Sequence, residues 1–453
     1  MSYSENSNRN LDLVSTIQSA LEANEIGEVR EQIASLHPSE LADLLESLPT
    51  SVRDELWVHI DPENEGDVLV HVSDAVRAGI LEGMHPHEVA AATESLEIDD
   101  AADILQDLSE DVVGEVLRSM DSQNRQRIAH VLHYAEDSAG GLMNVDTVAV
   151  RADVNVDVVI RYLRLLGEKV PAKTDSLIVV DRQNTYLGLL PLATLLTAAP
   201  ETVAGELMFL DADPIRAETP ANDVVTIFEQ RDLLSAAVVD DDGQLLGRIT
   251  IDDVVDVLRD QNAHSVMSAA GLHEDDDLFA PVLGAAKRRA TWLAVNLATA
   301  FLAAWVIGLF EATIDQIVAL AVLMPIVASM GGVAGMQTLT IVIRGMALGQ
   351  IGRANARIII TREVAIALWN CLLWASVVAV IAGLWFSDLN LGLVIGAALV
   401  INLLTAALAG ALIPIILRRL KIDPALAGAV ALTTVTDVMG FFAFLGLAAV
   451  VLL

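Results

Sequence analysis

Five apolar runs close the chain and set its architecture: about Arg289 to Phe310, Ile317 to Leu348, Ile358 to Phe386, Leu391 to Leu417 and Pro424 to Leu453. Each exceeds the ~20 residues a helix needs to cross a hydrocarbon core of about 30 Å. Backbone groups at that depth have no water to bond, so they must pair within their own segment. The C-terminal part therefore reads as an all-α transmembrane bundle of five helices. Basic residues give it a direction. Lys287, Arg288 and Arg289 precede the first run, Arg353, Arg357 and Arg362 separate the second from the third, and Arg418, Arg419 and Lys421 separate the fourth from the fifth. The other loops hold only Glu311, Asp315 and Asp388. Positive loops stay inside, so the part before the runs is expected in the cytoplasm and the C-terminus outside.

Charge divides the chain at the same place. From residue 291 onward 7 Lys+Arg stand against 6 Asp+Glu, leaving 20 against 55 before it, for a total of −34. So acidic a soluble part argues against nucleic acid and anionic lipid as partners and makes cations fitting ones, although acidity also serves plain solubility. The single cysteine, Cys371, falls inside an apolar run, which excludes an intrachain disulfide or a thiolate metal site. The polar start MSYSENSNRN lacks the pattern of a cleavable secretory signal.

Asp437 is the one ionisable residue in the last run. A carboxylate at bilayer depth is costly and usually serves an ion, a proton or a partner. Thr433, Asp437 and Gly440 follow helical i, i+4, i+7 spacing with Thr436 beside them, giving one polar or small stripe on an otherwise apolar helix. An ion pair with Arg344 is the structural alternative. The second run carries Met324-Pro325 and then Gly331-Gly332-Val333-Ala334-Gly335-Met336-Gln337. Such residues occur where backbone lines a cavity, or simply where helices pack closely. Asn296, Gln337, Asn402 and Thr405 add uncharged polar groups that line a path or bond between helices.

Residues 1 to about 131 read as helices only, with helical spacing in Leu41, Leu44, Leu45, Leu48 and turn signals at Pro38, Pro49, Pro62 and Pro86. Leu36-His37-Pro38-Ser39-Glu40-Leu41-Ala42 and Met84-His85-Pro86-His87-Glu88-Val89-Ala90 resemble each other and suggest a stack of short helix pairs. Their histidines suit packing or solvent better than metal, since no second ligand pattern accompanies them. From about Glu136 the period changes to strands: Thr147 to Val150, Leu177 to Val180 and Tyr186 to Leu190, then again Asp213 to Arg216, Ala236 to Asp240 and Leu245 to Thr250, followed by a helix from Asp252 to about Arg259. The two copies resemble a tandem CBS domain pair, an α/β module that in its family often binds an adenine nucleotide. Thr250 and Asp253 match the family's ribose- and phosphate-holding positions, whereas Pro191 and Thr194 stand there in the first copy. Thr followed by Asp is also an ordinary helix start.

The order of modules, with Pro325, Gly331-Gly332-x-x-Gly335-x-Gln337, Arg344-Gly345, Asp423-Pro424-Ala425 and Thr434-x-Thr436-Asp437-Val438-x-Gly440, resembles the MgtE family of magnesium transporters over essentially the whole chain. The resemblance implies a multi-domain protein: an acidic helical N-domain at 1–131, a CBS pair at 132–260 (about 138–200 and 203–260), a linking helix at 261–288 and a transmembrane domain at 289–453. It implies a homodimeric, channel-like Mg²⁺ pore in membrane lipid, with Asp437 holding the ion and Thr433, Thr436, Gly440 and Gln337 lining the path. Asp99, Asp103, Asp232, Asp253 and Asp256 match acids through which cytoplasmic Mg²⁺ gates the pore, and ATP is a candidate ligand of the CBS pair at Thr250 and Asp253. The chain departs from the family pattern at Val333 and Met336, where Asn is common, at Pro220 and Asn222, and at Gln261, His264 and Ser265 along the linking helix, although Glu274-Asp275-Asp276-Asp277 follows. Transport of another divalent cation such as Co²⁺ or Ni²⁺, or a non-conducting membrane-tethered CBS sensor, are the alternatives. No nucleophile–base pair or phosphate loop points to an enzyme.

Overall fold

Pro38, Pro62 and Pro86 each open a helix, where the missing N–H costs nothing and the fixed φ suits the first turn. The computed structural model, which describes residues 3–171, 173–272, 277–347, 349–352 and 355–453, shows what this punctuation builds. Helices begin at evenly spaced Pro38, Pro62, Pro86 and Glu110, and their partners at Thr50, Asp74, Ile98 and Ser122. Helix Pro38–Glu46 packs on Pro62–His71, that on Pro86–Thr93, and that on Glu110–Ser119, a short solenoid of helix pairs. The histidines have local jobs here. His37 N–H donates to Glu40 Oε2 at 3.0 Å and its ring accepts from Ser39 N–H at 3.3 Å, while His85 N–H donates to Glu88 Oε2 at 2.7 Å. These are helix caps.

The chain splits into two compact units, Met1–Asn262 with Asp275–Pro281, and Ala263–Glu274 with Val282–Leu453. In the first unit two three-stranded sheets repeat one plan. β1 (Ala149–Arg151) runs parallel to β2 (Ser176–Val180), which is antiparallel to β3 (Tyr186–Pro191). β4 (Ile215–Arg216), β5 (Ser235–Val239) and β6 (Leu245–Thr250) do the same, and the register slips at the matching point, Val179/Val180 and Val238/Val239. The copies join through Ser176 Oγ and Ser235 Oγ at 3.2 Å, and through Asn184 and Leu245, whose backbone groups bond at 3.0 Å. One apolar cluster runs from solenoid residues such as Ile104, Leu105 and Val131 into Phe228, Val238 and Ile249 of the second copy. Buried Arg53 donates to the Leu45 and Leu48 carbonyls and pairs with Asp277 at 3.1 Å, which ties residues 277–281 to the solenoid.

In the second unit, helices Val282–Gly308, Ala319–Ala347, Ala356–Phe386, Leu389–Arg419 and Pro424–Val451 are long and apolar enough to cross a membrane. The fourth packs against the second, third and fifth and is the most buried of them. The expected linking helix at 261–288 is divided. Residues up to Ala269 prolong the last CBS helix, Ile251–Ala269, and the chain then turns at Gly271, with φ +72° and Leu272 N–H donating to the Met267 carbonyl at 3.0 Å. A left-handed glycine ends a helix in this way. The first spanning helix starts afresh at Val282, so Lys287 to Arg289 lie within its opening turns. Glu274, Asp275, Asp276, Leu348 and Arg353 lie outside the described residues.

Candidate functional site

The membrane candidate sits on the fifth spanning helix. Asp423 caps that helix by accepting from Ala425 N–H at 2.9 Å, and Pro424 takes its first turn. Asp437 is partly buried near its middle, and among the described residues no ion pair joins it to Arg344. Thr433 is also partly buried and donates to the Ala429 carbonyl at 3.1 Å. Thr436 and Gly440 instead are buried within the helix bundle, Thr436 with no exposed surface and its hydroxyl bonded back to the Thr433 carbonyl at 3.1 Å. Gln337 is exposed on the second span, as is Val333. A charged residue passed over in the sequence is Glu363, buried in the third span, where it accepts from Thr338 Oγ1 at 3.1 Å. An acid standing inside the apolar run beside Arg362 was the signal available.

The soluble candidate is an acidic cluster where solenoid helix Ile98–Gln106 meets the start of helix Ile251–Ala269. Glu97, Asp99 and Asp100 each bring a carboxylate oxygen within 4.8 Å of the others, and Asp99 Oδ1 is buried with no partner among the described residues. Burial raises the Asp99 carboxyl well above its ordinary value, and the charges of Asp253, Asp100 and Glu97 add to it. Burial likewise pushes Asp100 up to about 6, helped by Glu97; Asp253 up to about 7, helped by Asp252; and Asp103 up to about 8, with Arg77 opposing. Lys173 supplies positive charge, pairing with Asp252 and reaching Glu97 at 3.5 Å. Burial raises Asp252, but its bonds to Lys173 and Thr250 bring it below its ordinary value. The structure thus brings Asp99, Asp103 and Asp253 into one neighbourhood. Asp232 and Asp256 are exposed: Asp232 ends helix Ala221–Arg231 in the left-handed conformation, and Asp256 lies 3.9 Å from Arg259. Glu97, Asp100, Asp252 and Lys173 are the cluster members that the sequence reading missed.

Thr250 and Asp253 meet as a helix start: Asp253 Oδ2 accepts from Thr250 N–H at 2.7 Å and from its hydroxyl at 3.1 Å, and that hydroxyl also bonds to Asp252. The donor set of the cluster, with Asp99 buried and the others half-buried, is carboxylate oxygen throughout, with an orphaned oxygen and few positive charges. It fits a hard divalent cation, which neutralises like charges at oxygen ligands.

The fold and these two sites define a class: a polytopic membrane protein whose acidic soluble part carries a CBS pair. Family models match at residues 324–447 (a divalent cation transporter domain), 36–137 (the MgtE intracellular N domain) and 204–260 (a CBS domain). The chain is 29% identical over 448 residues to the magnesium transporter MgtE of Thermus thermophilus, covering 97% of this chain and 98% of that one. It is 25% identical over 437 residues to that of Bacillus subtilis, covering 96% and 97%. Among solved structures, the cytosolic domain of the Mg²⁺ channel MgtE in complex with ATP aligns with a TM-score of 0.50 at 30% identity, covering 54% of this chain and 99% of that one. The chain belongs to the MgtE family.

Proposed function

We propose that this protein carries Mg²⁺ across the membrane through a channel-like pore formed by two copies, with Asp437 of each at the ion. The observation that carries this reading is Asp437 itself, partly buried in a helix with no other ionisable residue after Asp423. The relatives named as magnesium transporters support the choice of ion. Mg²⁺ dehydrates reluctantly and touches one or two carboxylates through a shell of water, so one aspartate per copy, doubled by symmetry, suffices. Two such carboxylates repel each other and favour a divalent cation between them. Thr433 and Gln337, which keep exposed surface, would accompany them as lining residues; Thr436 and Gly440, expected in that role, lie buried within the chain instead.

Regulation rests on the cytoplasmic acids. Mg²⁺ held by Asp99, Asp103 and Asp253, with Asp232 and Asp256 as outer members, would offset like-charge repulsion between the N-domain and the CBS pair and favour the packed, closed arrangement when the cell is replete. The domain limits proposed for this are 1–131, 132–260, 261–288 and 289–453, with the N-terminus cytoplasmic and the C-terminus outside. ATP at Thr250 and Asp253 is proposed by analogy with the ATP complex of the related cytosolic domain.

The test is Mg²⁺ uptake by vesicles holding the full chain. Loss of uptake in Asp437→Ala supports the reading, and normal uptake by that variant removes it. Competition by Co²⁺ and Ni²⁺ decides the ion.

A further inference from the structure

Asn402, in the fourth spanning helix, has none of its surface exposed. Its Nδ2 donates to the Val327 carbonyl at 2.8 Å, two residues beyond Pro325 in the second span. Its Oδ1 is buried and has no partner among the described residues. Glycines press on both sides of the amide. A methyl group on Gly331 of the second span would lie 2.2 Å from Nδ2 and 3.0 Å from Oδ1, and one on Gly440 of the fifth span 2.7 Å from Nδ2. The carboxamide is therefore gripped between the second and fifth spans beside Gly440, three residues beyond Asp437 on the same helix.

Two physical points make this more than close packing. A buried carboxamide with one unpaired oxygen is a poorer core residue than an apolar side chain of the same branched shape, so stability alone does not account for it. Pro325 lacks the N–H that would bond the Ala321 carbonyl one turn earlier, so the ladder of the second span is already interrupted just before this contact. Asn402 supplies an outside donor to that span just past the proline.

We infer that Asn402 is a positioning residue for the ion path: by fixing Val327 of the second span against Gly440 of the fifth, it sets the rotation and depth of the helix that carries Asp437. It acts through Asp437 and makes no contact with the ion. The inference rests on the transport reading above.

The experiment uses the full chain in vesicles, with Mg²⁺ flux read alone and against Co²⁺. Asn402→Leu keeps the branched four-atom shape, with somewhat more bulk, and removes the bond. Its half-saturation concentration for Mg²⁺ should rise roughly tenfold, the low end of what loss of an outer support costs a metal ligand, and its preference for Mg²⁺ over Co²⁺ should fall. Thermal stability and membrane insertion should stay as in the wild type. A packing role alone would lower stability and leave preference unmoved. Gly440→Ala should reproduce the defect by displacing the carboxamide, and adding Asn402→Ala should neither restore function nor deepen the loss, because the bond to Val327 is already broken; the pair is non-additive as contacting residues are. Wild-type half-saturation and preference in Asn402→Leu overturn the inference. Should that variant fail to fold, strictly additive effects of Gly440→Ala and Asn402→Ala overturn it instead. Absence of flux in the wild type removes the transport reading and this inference with it, whereas normal wild-type flux with an unaltered Asn402→Leu removes only the inference.

Discussion

The two acidic sites of this chain are opposites in surroundings. Asp437 stands without another charged side chain along its spanning helix, whereas Asp99 sits among Glu97, Asp100 and Asp253, with Lys173 close by. The first is costly because water is missing, the second because like charges crowd as well. A lone carboxylate holds an ion only while it passes, and its occupancy need not move the backbone. A crowded cluster makes the packing of helix Ile98–Gln106 against helix Ile251–Ala269 depend on what neutralises it. On the proposed reading, the difference suits the first to conduction and the second to sensing.

The largest expected effect breaks the first half of that contrast. Asp437→Asn should lower Mg²⁺ flux by more than the ~10- to 100-fold that losing an outer-shell partner costs a metal site, while thermal stability stays level or rises. Flux and melting measured on the same preparation decide it. Equal loss of both would make Asp437 a packing residue.

Next comes pH. The carboxyls of Asp100, Asp253 and Asp103 sit at about 6, 7 and 8, above the unfolded value near 4, so the folded protein holds their protons longer than the unfolded chain does. Their contribution is present at low pH and is lost as pH rises through 6 to 8. Each unit of upward shift represents about 1.4 kcal/mol against the ionised fold. Without divalent cations, the protection of amides in residues 98–106 and 251–256 of the full chain, taken relative to the intrinsic exchange rate at each pH, should therefore fall between pH 6 and 8.5, and millimolar Mg²⁺ should restore it at the upper end. Protection that stays constant across this range would show that the cluster carries no strain.

Lys173→Met sharpens the contrast from the other side. Removing the ammonium leaves the cluster more negative, so the Mg²⁺ concentration that protects it should fall by roughly threefold, the size of a weak, partly screened ion pair. An increase would mean that Lys173 orders the site instead of competing with the ion. The smallest effect belongs to Asp256→Asn. This side chain is exposed, and its substitution should change stability by less than about 0.5 kcal/mol, the ordinary range for surface changes.

Much of the architecture was legible because its causes are local. Run length and apolarity gave the five spans, and short apolar, β-branched runs bounded by turn signals gave the strands, since both signals are local. The linking stretch was misread because one residue's dihedral decides it: Gly271 turns the chain where the sequence around it, from Ser268 to Leu272, carries no proline. Asp437 stood out as the one acid of an apolar run. Lys173, Glu97 and Asp100 did not, since their meaning comes from residues some eighty to one hundred and fifty positions away that only the packed solenoid and CBS pair bring together. Glu363 was masked by its basic neighbour, and Asn402 is explained by two glycines on other helices.

The central claim is that one intramembrane aspartate conducts while the acidic soluble part senses. Its most direct test is Mg²⁺ flux through the reconstituted full chain, wild type against Asp437→Ala, at low and at millimolar Mg²⁺ on the side of the soluble part. The account predicts flux in the wild type at low Mg²⁺, closure at millimolar Mg²⁺, and loss of flux in the variant under both conditions. Equal flux through the wild type and Asp437→Ala would contradict it.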